Sequence, residues 1–463
     1  MKSIKKSILL ISVLAISLAF TSCGFGSDDG SVNDNTGNSS ADNNTSDNKD
    51  NSIYYLNFKP EVAQIYEEIA KTYKQETGVT LNVVTAASGT YEQTLKSEIA
   101  KADAPAIFQI NGPKGYASWK NYCADLSDTE IYQHLTDKEL AIKNDDGVYG
   151  IPYVVEGYGI IYNEKIMDEY FELDTKQTDV DSVDEINNFE TLSAVVEDMT
   201  ANKDKLGIDG VFASTSLKSG DDWRWHTHLA NIPLYYEFLE NNIDLSSDST
   251  NEIEFSKDEG FKNIFDLYIN NSTVEPKILG TKQTADSMAE FALGQCAMVQ
   301  NGNWAWEQIN DVSGNTVNED DIGFLPIFIG EEGEENQGIA VGTENFLAIN
   351  SQVSEEKQKL ASDFLYWLYS SEKGKDYVIN ELGFIAPFDT FSEDEKPTDP
   401  LAREVVEWIE EDDVTNIPWN FTIFPSQNFK DEFGTALLQY VQGKKEWTDV
   451  KETVVEKWKA ESK

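Results

Sequence analysis

Tryptophans set in polar, glycine-punctuated stretches are the residues of this chain whose type and spacing carry chemistry. Trp304 follows Asn301-Gly302-Asn303, a strand-to-turn junction of the kind that opens onto ligand crevices in α/β sheets. Trp223 and Trp225 flank Arg224 behind Ser219-Gly220-Asp221-Asp222. A large ring in so polar a stretch is unfavourable unless it covers something, so one of the two is expected to stack on a ligand. Trp419 follows Pro418 in a further loop and is a third platform candidate. Polar groups gather at the ends of three expected strands: Asn57 and Lys59 at the first, Ser88, Gly89 and Tyr91 after the second, Gln109 and Asn111 at the third. Aromatic platforms beside planar polar groups suit a ligand with flat apolar faces and an edge of hydrogen-bonding groups. The remaining tryptophans, Trp119, Trp306, Trp367, Trp408, Trp447 and Trp458, fall on helical stripes, surfaces or core-facing positions.

Other chemistries find less support. His226-Thr227-His228 beside Asp221 and Asp222 could approach zinc, but His134 is the sole further histidine and no third-ligand spacing accompanies the pair, so no metal is expected. The Asp-rich stretch 174–184 lacks a complete calcium-loop pattern. No nucleophile triad or glycine-rich phosphate loop is present. A secreted glycoside hydrolase would hold two carboxylates about 5 to 10 Å apart across one bond, and among 83 Asp and Glu nothing singles out a pair. Neither a catalytic residue nor a cofactor is expected.

Composition narrows the partners. The 463 residues, 40% apolar and 11% aromatic, can bury a large core in roughly two or three globular units. A formal net charge of −47 argues against nucleic acid and anionic lipid surfaces. Arg224 and Arg403 are the only arginines, which disfavours an anionic ligand that needs two-pronged clamping.

The elements that must position these residues begin behind an address segment. Lys2, Lys5 and Lys6 precede an apolar run from Ile8 to Phe20, too short for a permanent membrane span and suited to a secretion signal over residues 1–22. Residues 24–51 are almost wholly Ser, Asn, Asp, Gly and Thr, a flexible tether. From Ile53 the pattern reads strand, helix, strand, helix, strand: Ile53–Phe58, then Val62, Ile65, Tyr66, Ile69 and Tyr73 at helical spacing, then Val79, Leu81 and Val83. Leu95 and Ile99 mark the second helix and Ala106–Ile110 the third strand, the opening of an α/β domain with a parallel sheet. Further strands are expected at Val148–Val155, Gly159–Tyr162, Ala297–Val299 and Phe346–Asn350, and mostly helix from about Ser392.

Phe20-Thr21-Ser22-Cys23 resembles the lipobox of bacterial lipoproteins, in which the signal is cut before the cysteine and that cysteine is lipidated. The body, residues 53 to 460, resembles the extracellular solute-binding proteins of ABC sugar importers, the maltose-binding-protein-like group. The resemblance rests on six segments in order: 73–79 (Tyr-Lys-Gln-Glu-Thr-Gly-Val), 104–108 (Ala-Pro-Ala-Ile-Phe), 147–152 (Gly-Val-Tyr-Gly-Ile-Pro), 155–163, 297–306 and 342–350.

The resemblance implies a type II periplasmic-binding-protein-like α/β fold: two lobes joined by chain crossings near Glu156-Gly157, Gly342–Asn345 and Phe388–Ser392, closing on ligand held between them. One lobe would comprise 52–156 and 346–388, the other 157–345 and 389–463, with Cys123 and Cys296 in different lobes as free thiols. Trp304 matches the family's stacking tryptophan and Glu156 a ligand-binding carboxylate, while Glu344 sits in the second crossing. The implied function is capture of a neutral sugar, an oligosaccharide, and its delivery to an ABC permease. The protein would be a monomer, held at the extracellular face of the cytoplasmic membrane by lipid on Cys23 alone, with a Gram-positive envelope suggested by the tether. A hydrolase or a non-transport carbohydrate-binding lipoprotein is the alternative.

Overall fold

A computed structural model describes residues 51–462 apart from 88, 146, 244–249, 251, 344 and 393. The signal, Cys23, the tether up to residue 50, Ser88 and Glu344 therefore lie outside the described residues. Eleven strands are present among them: β1 (Ser52–Asn57), β2 (Thr80–Thr85), β3 (Ile107–Asn111), β4 (Ile142–Asn144), β5 (Gly147–Pro152), β6 (Glu156–Asn163), β7 (Met298–Gly302), β8 (Ile322–Leu325), β9 (Gln337–Gly342), β10 (Asn345–Ile349) and β11 (Thr415–Pro418). The apolar stripe behind β1 forms the helix Ala63–Thr77, which buries Tyr66, Ile69 and Tyr73 and ends where Gly78 takes φ +76°.

The strands make two sheets. In the first the order is β2-β1-β3-β10-β5-β4, and in the second β11-β9-β6-β7, with β8 also paired to β6. Each sheet is buried on both faces, as the pleat dictates: Leu347 and Ile349 of β10 face one core with Ile53, Tyr55 and Ile107, while Phe346 and Ala348 face another with Leu56, Phe108 and Ile110. In the second sheet Ile161, Val299 and Ile339 face one side, Tyr158, Ile160 and Ala340 the other.

The sheets are mixed, where the sequence pattern suggested parallel ones. β1 lies parallel to β2 and β3, but β10 is antiparallel to both β3 and β5. In the second sheet β6 is antiparallel to β7, β8 and β9. The reason is the direction of travel. β5 leaves the first sheet and β6 starts the second after residues 153–155, and β9 returns to β10 through 343–344. A strand entering a lobe at such a passage runs away from the junction and must oppose those that end there.

The chain past the passage expected at 388–392 keeps bonds to the side of the first sheet. Residues 389–398 stay bonded to the first lobe: the Asp389 amide donates to the His134 carbonyl (2.9 Å), the Lys375 ammonium to the Thr390 carbonyl (3.0 Å) and the Glu395 carboxylate (2.7 Å), and the Thr398 amide to the Ile379 carbonyl (3.2 Å). Only the helix Pro400–Glu410 joins the second lobe, through Leu401 and Val405 against Ile339. Asp399 caps that helix, accepting from the Ala402 amide at 2.8 Å, and burial pushes its carboxyl up to about 7. β8, β9 and β11 had no counterpart in the sequence reading. Cys123 and Cys296 are buried free thiols in separate cores. No helix among the described residues is long and apolar enough to cross a membrane.

Candidate functional site

The ends of β7 and β9 and the start of β6 come together where the chain passes between lobes, because Tyr158 pairs with Gly302 and Glu156 with Gly342. Both partners are glycines, and each leaves room for a tryptophan. A Cβ on Gly302 would fall inside the Trp304 indole, and one on Gly342 would lie 2.6 Å from Cγ of Trp419. Two platforms from distant parts of the sequence thus fold back over one strand edge.

Around them the rings form a continuous cluster. Trp304 lies 6.0 Å from Trp223, 5.4 Å from His228 and 6.2 Å from Trp419, centroid to centroid. His228 stacks on Tyr158 at 4.2 Å, and Trp419 packs on Phe421 at 5.1 Å. Burial, with Arg224 nearby, holds the His228 imidazole far below its usual range, so the ring is neutral. Trp223 opens a π-helical turn, Arg224–Leu229, a local geometry that recurs at functional sites.

Several polar atoms in or beside this cluster are buried without a partner among the described residues: Nε1 of Trp304, Nε1 of Trp419, Nδ1 of His228, Nε of Arg224 and Oδ1 of Asn420. Buried polar groups in native proteins are nearly all hydrogen-bonded. Five of these atoms gather at one place.

The first lobe meets this cluster from the other side. The Lys59 ammonium lies 5.8 Å from the Trp304 ring centre and 2.6 Å from Oε1 of Glu156, with Glu61 at 3.6 Å. Lys59 and Glu156 are only 8% and 6% exposed, so the pair is a buried one that bridges the lobes. Farther out, Gly112 at the head of the helix Gly112–Trp119 lies so near Thr422 that a Cβ there would come within 2.7 Å of it, and Gly89 neighbours Gly220. The lobes are closed on each other.

The sequence-predicted residues divide into those the fold brings together and those it uses as bracing. Trp223, Trp304, Trp419, Lys59 and Glu156 converge. Asn57 instead spans its own turn: its Nδ2 donates to the Lys59 carbonyl (2.7 Å) and its Oδ1 accepts from the Lys59 amide (3.2 Å). Gln109 accepts from the Phe58 amide and donates to the Tyr153 hydroxyl, each at 2.6 Å, and the Tyr91 hydroxyl accepts from the Gln109 amide at 2.6 Å. These bonds hold the ends of β1 and β3. Asn111 is half-buried at the end of β3.

Trp225 lies in the core, 1% exposed between Phe265 and Tyr268, and donates to the Ser216 carbonyl. Of the two alternatives around Arg224, Trp223 is the one in the cluster. Tyr158 and Phe421 were missed, because an aromatic in a strand or a short turn reads as core. His228 carried a signal, its place in the His226-Thr227-His228 run directly behind Trp225. His226 faces Asp222, with Nε2 to Oδ1 at 3.5 Å, and no group of three or more His, Cys, Asp and Glu among the described residues is placed to hold a metal.

Solved structures of similar fold include several described as binding sugars. A chitin oligosaccharide binding protein superposes with a TM-score of 0.67 at 17% identity, covering 89% of this chain and 98% of that one. RafE in complex with raffinose gives 0.66 at 19% identity, with 89% and 100% covered. A sugar transporter from Bacillus licheniformis in complex with stachyose gives 0.62 at 16%, with 88% and 99% covered. No curated protein sequence matches the chain. Residues 68–404 match the family described as bacterial extracellular solute-binding protein. With most of its length so matched, and its two lobes closed over an aromatic cluster at their passages, the chain belongs to that family of extracellular solute-binding proteins.

Proposed function

We propose that this protein captures a neutral oligosaccharide between its lobes and presents it to the permease of an ABC importer, without catalysing a reaction. One observation carries the reading: indole platforms Trp223, Trp304 and Trp419 share a cluster with buried, unpartnered hydrogen-bonding atoms, opposite the Lys59–Glu156 pair. Stacking faces plus orphan donors are what a sugar ring uses. The Lys59 ammonium is already taken up by Glu156 and Glu61, so it offers nothing to an anionic ligand.

The solved relatives named above bind chitin oligosaccharide, raffinose and stachyose, all neutral or nearly so, and their fold supports the same class here. A ligand touching both lobes stabilises the closed form by its differential affinity, which lets a permease discriminate loaded from empty receptor. On this reading the lobes are 52–155 with 345–398 and 156–343 with 399–462. Lipid on Cys23 and the tether 24–51 would keep the body near the outer face of the membrane, as a monomer.

A thermal-shift screen of the body from Asn51 against raffinose-, malto- and chitin-type oligosaccharides, followed by calorimetry and product analysis, tests this. A saturable rise in melting temperature with no product is expected. Silence across the panel would overturn the carbohydrate assignment, and product formation would revive the hydrolase alternative.

A further inference from the structure

Arg224 is one of only two arginines in the chain, is 1% exposed, and makes no ion pair among the described residues. A buried guanidinium needs a reason. Its carbon lies 3.9 Å from the centre of the Trp223 ring, so the planar cation covers one face of that indole. Its Nη1 donates to Oγ1 of Thr284 (3.0 Å) and its Nη2 to Oδ1 of Asn301 (3.2 Å). Asn301 Oδ1 also accepts from the Gly302 amide (3.1 Å), at the strand end over which Trp304 folds. From the other side, Nε2 of Gln300 in β7 donates to the Arg224 carbonyl (2.9 Å).

One side chain therefore ties the π-helical turn carrying Trp223 to the strand end carrying Trp304. We propose that Arg224 is a positioning residue that holds the Trp223 ring in register with Trp304, leaving the uncovered face of Trp223 for ligand. Lysine would keep the charge but has neither a flat face for the indole nor a fork that reaches Thr284 and Asn301 together. The inference rests on the binding reading above for its effect on affinity, though not for its effect on the ring.

Two measurements on the full body test it. The first needs no ligand: the circular dichroism difference between the parent and Trp223→Phe isolates the contribution of Trp223 and its coupling to Trp304. In an Arg224→Met background that difference should shrink by at least half; an unchanged difference overturns the proposal. The second titrates stachyose and a chitin tetrasaccharide. Arg224→Met and Arg224→Lys should each weaken binding about tenfold, and Arg224→Met should weaken it less than twofold when Trp223 is already alanine. Equal losses in both backgrounds, or restoration by lysine, would show that Arg224 acts on stability or by charge alone. Should Arg224→Met fail to fold, Thr284→Val removes one of its two anchors from a partly exposed helix start and should weaken binding about threefold, again only with Trp223 present. A parent that binds neither sugar would defeat the binding reading while the dichroism still decides the role of Arg224.

Discussion

Gly112 offers a direct test of lobe closure. It has φ +58°, and a Cβ there would lie 2.7 Å from Cβ and 3.3 Å from Cγ2 of Thr422 on the opposite lobe. Carbon atoms sit at 3.5 to 4.0 Å in ordinary contact, roughly. In Gly112→Ala the left-handed backbone costs about 1–2 kcal/mol whether the lobes are open or closed. The clash exists only when they are closed, and overpacking of this kind costs about 1–3 kcal/mol. Opening relieves it. Ligand affinity, which depends on the closed form, should therefore fall about 5- to 150-fold. Calorimetry measures the loss and small-angle scattering the shift towards the open form. Thr422→Gly removes both clashing carbons, so the double variant should regain the affinity but not the melting temperature lost to backbone strain. An alanine variant that binds as tightly as the parent, or a loss that Thr422→Gly leaves intact, would refute the argument that these two residues meet in the bound state.

Trp304→Ala should weaken sugar binding by about 1–3 kcal/mol, and unchanged calorimetric affinity would remove that ring from the site. Lys59→Met removes the ammonium held 2.6 Å from the buried Glu156 carboxylate and should destabilise the closed form by about 3–5 kcal/mol, most of which Lys59→Met with Glu156→Gln restores; an equal deficit in the double variant would assign the effect to Lys59 alone. Asp399, pushed up to about 7, stays protonated in the fold at pH values where the unfolded chain has lost that proton. The stability it contributes is complete below about pH 4 and is lost as pH rises towards 7, so melting curves of the parent minus those of Asp399→Asn should decline across that window; a flat difference would contradict the burial argument.

Much of the scaffold was legible because its signals are local. The stripe of Tyr66, Ile69 and Tyr73 and the apolar runs at Ile53 and Ala106 each specify one element by period and length. β8, β9 and β11 were hidden for the opposite reason: Ile322–Leu325 is four residues, and Gln337–Gly342 carries glycines at both ends of its apolar centre. The tryptophans were visible as rings in polar stretches, but sequence does not say which way a ring turns. Trp223 and Trp225 are two residues apart, and the π-helical turn decides that one meets Trp304 and the other Phe265. Nor could spacing show that Asn57 and Gln109 satisfy the backbone instead of a ligand, since the amides they bond belong to Lys59 and Phe58 in a turn whose shape is set by the fold.

The central position of β10 in the first sheet has a consequence for the order of assembly. β3 and β5 have no common neighbour until residues 345–349 arrive, after the whole of β6 to β9 has been made. Until then the growing amino-terminal lobe carries two open strand edges where its middle should be. A chain ending at residue 343 should expose the core around Ile107 and Ile151 to rapid proteolysis; resistance equal to that of the complete body would show that the lobe matures without its inserted strand. Late arrival of β10 leaves residues 52–155 without the strand that joins their two halves while the chain lengthens, and a lobe still open in this way is one that an export channel can still thread.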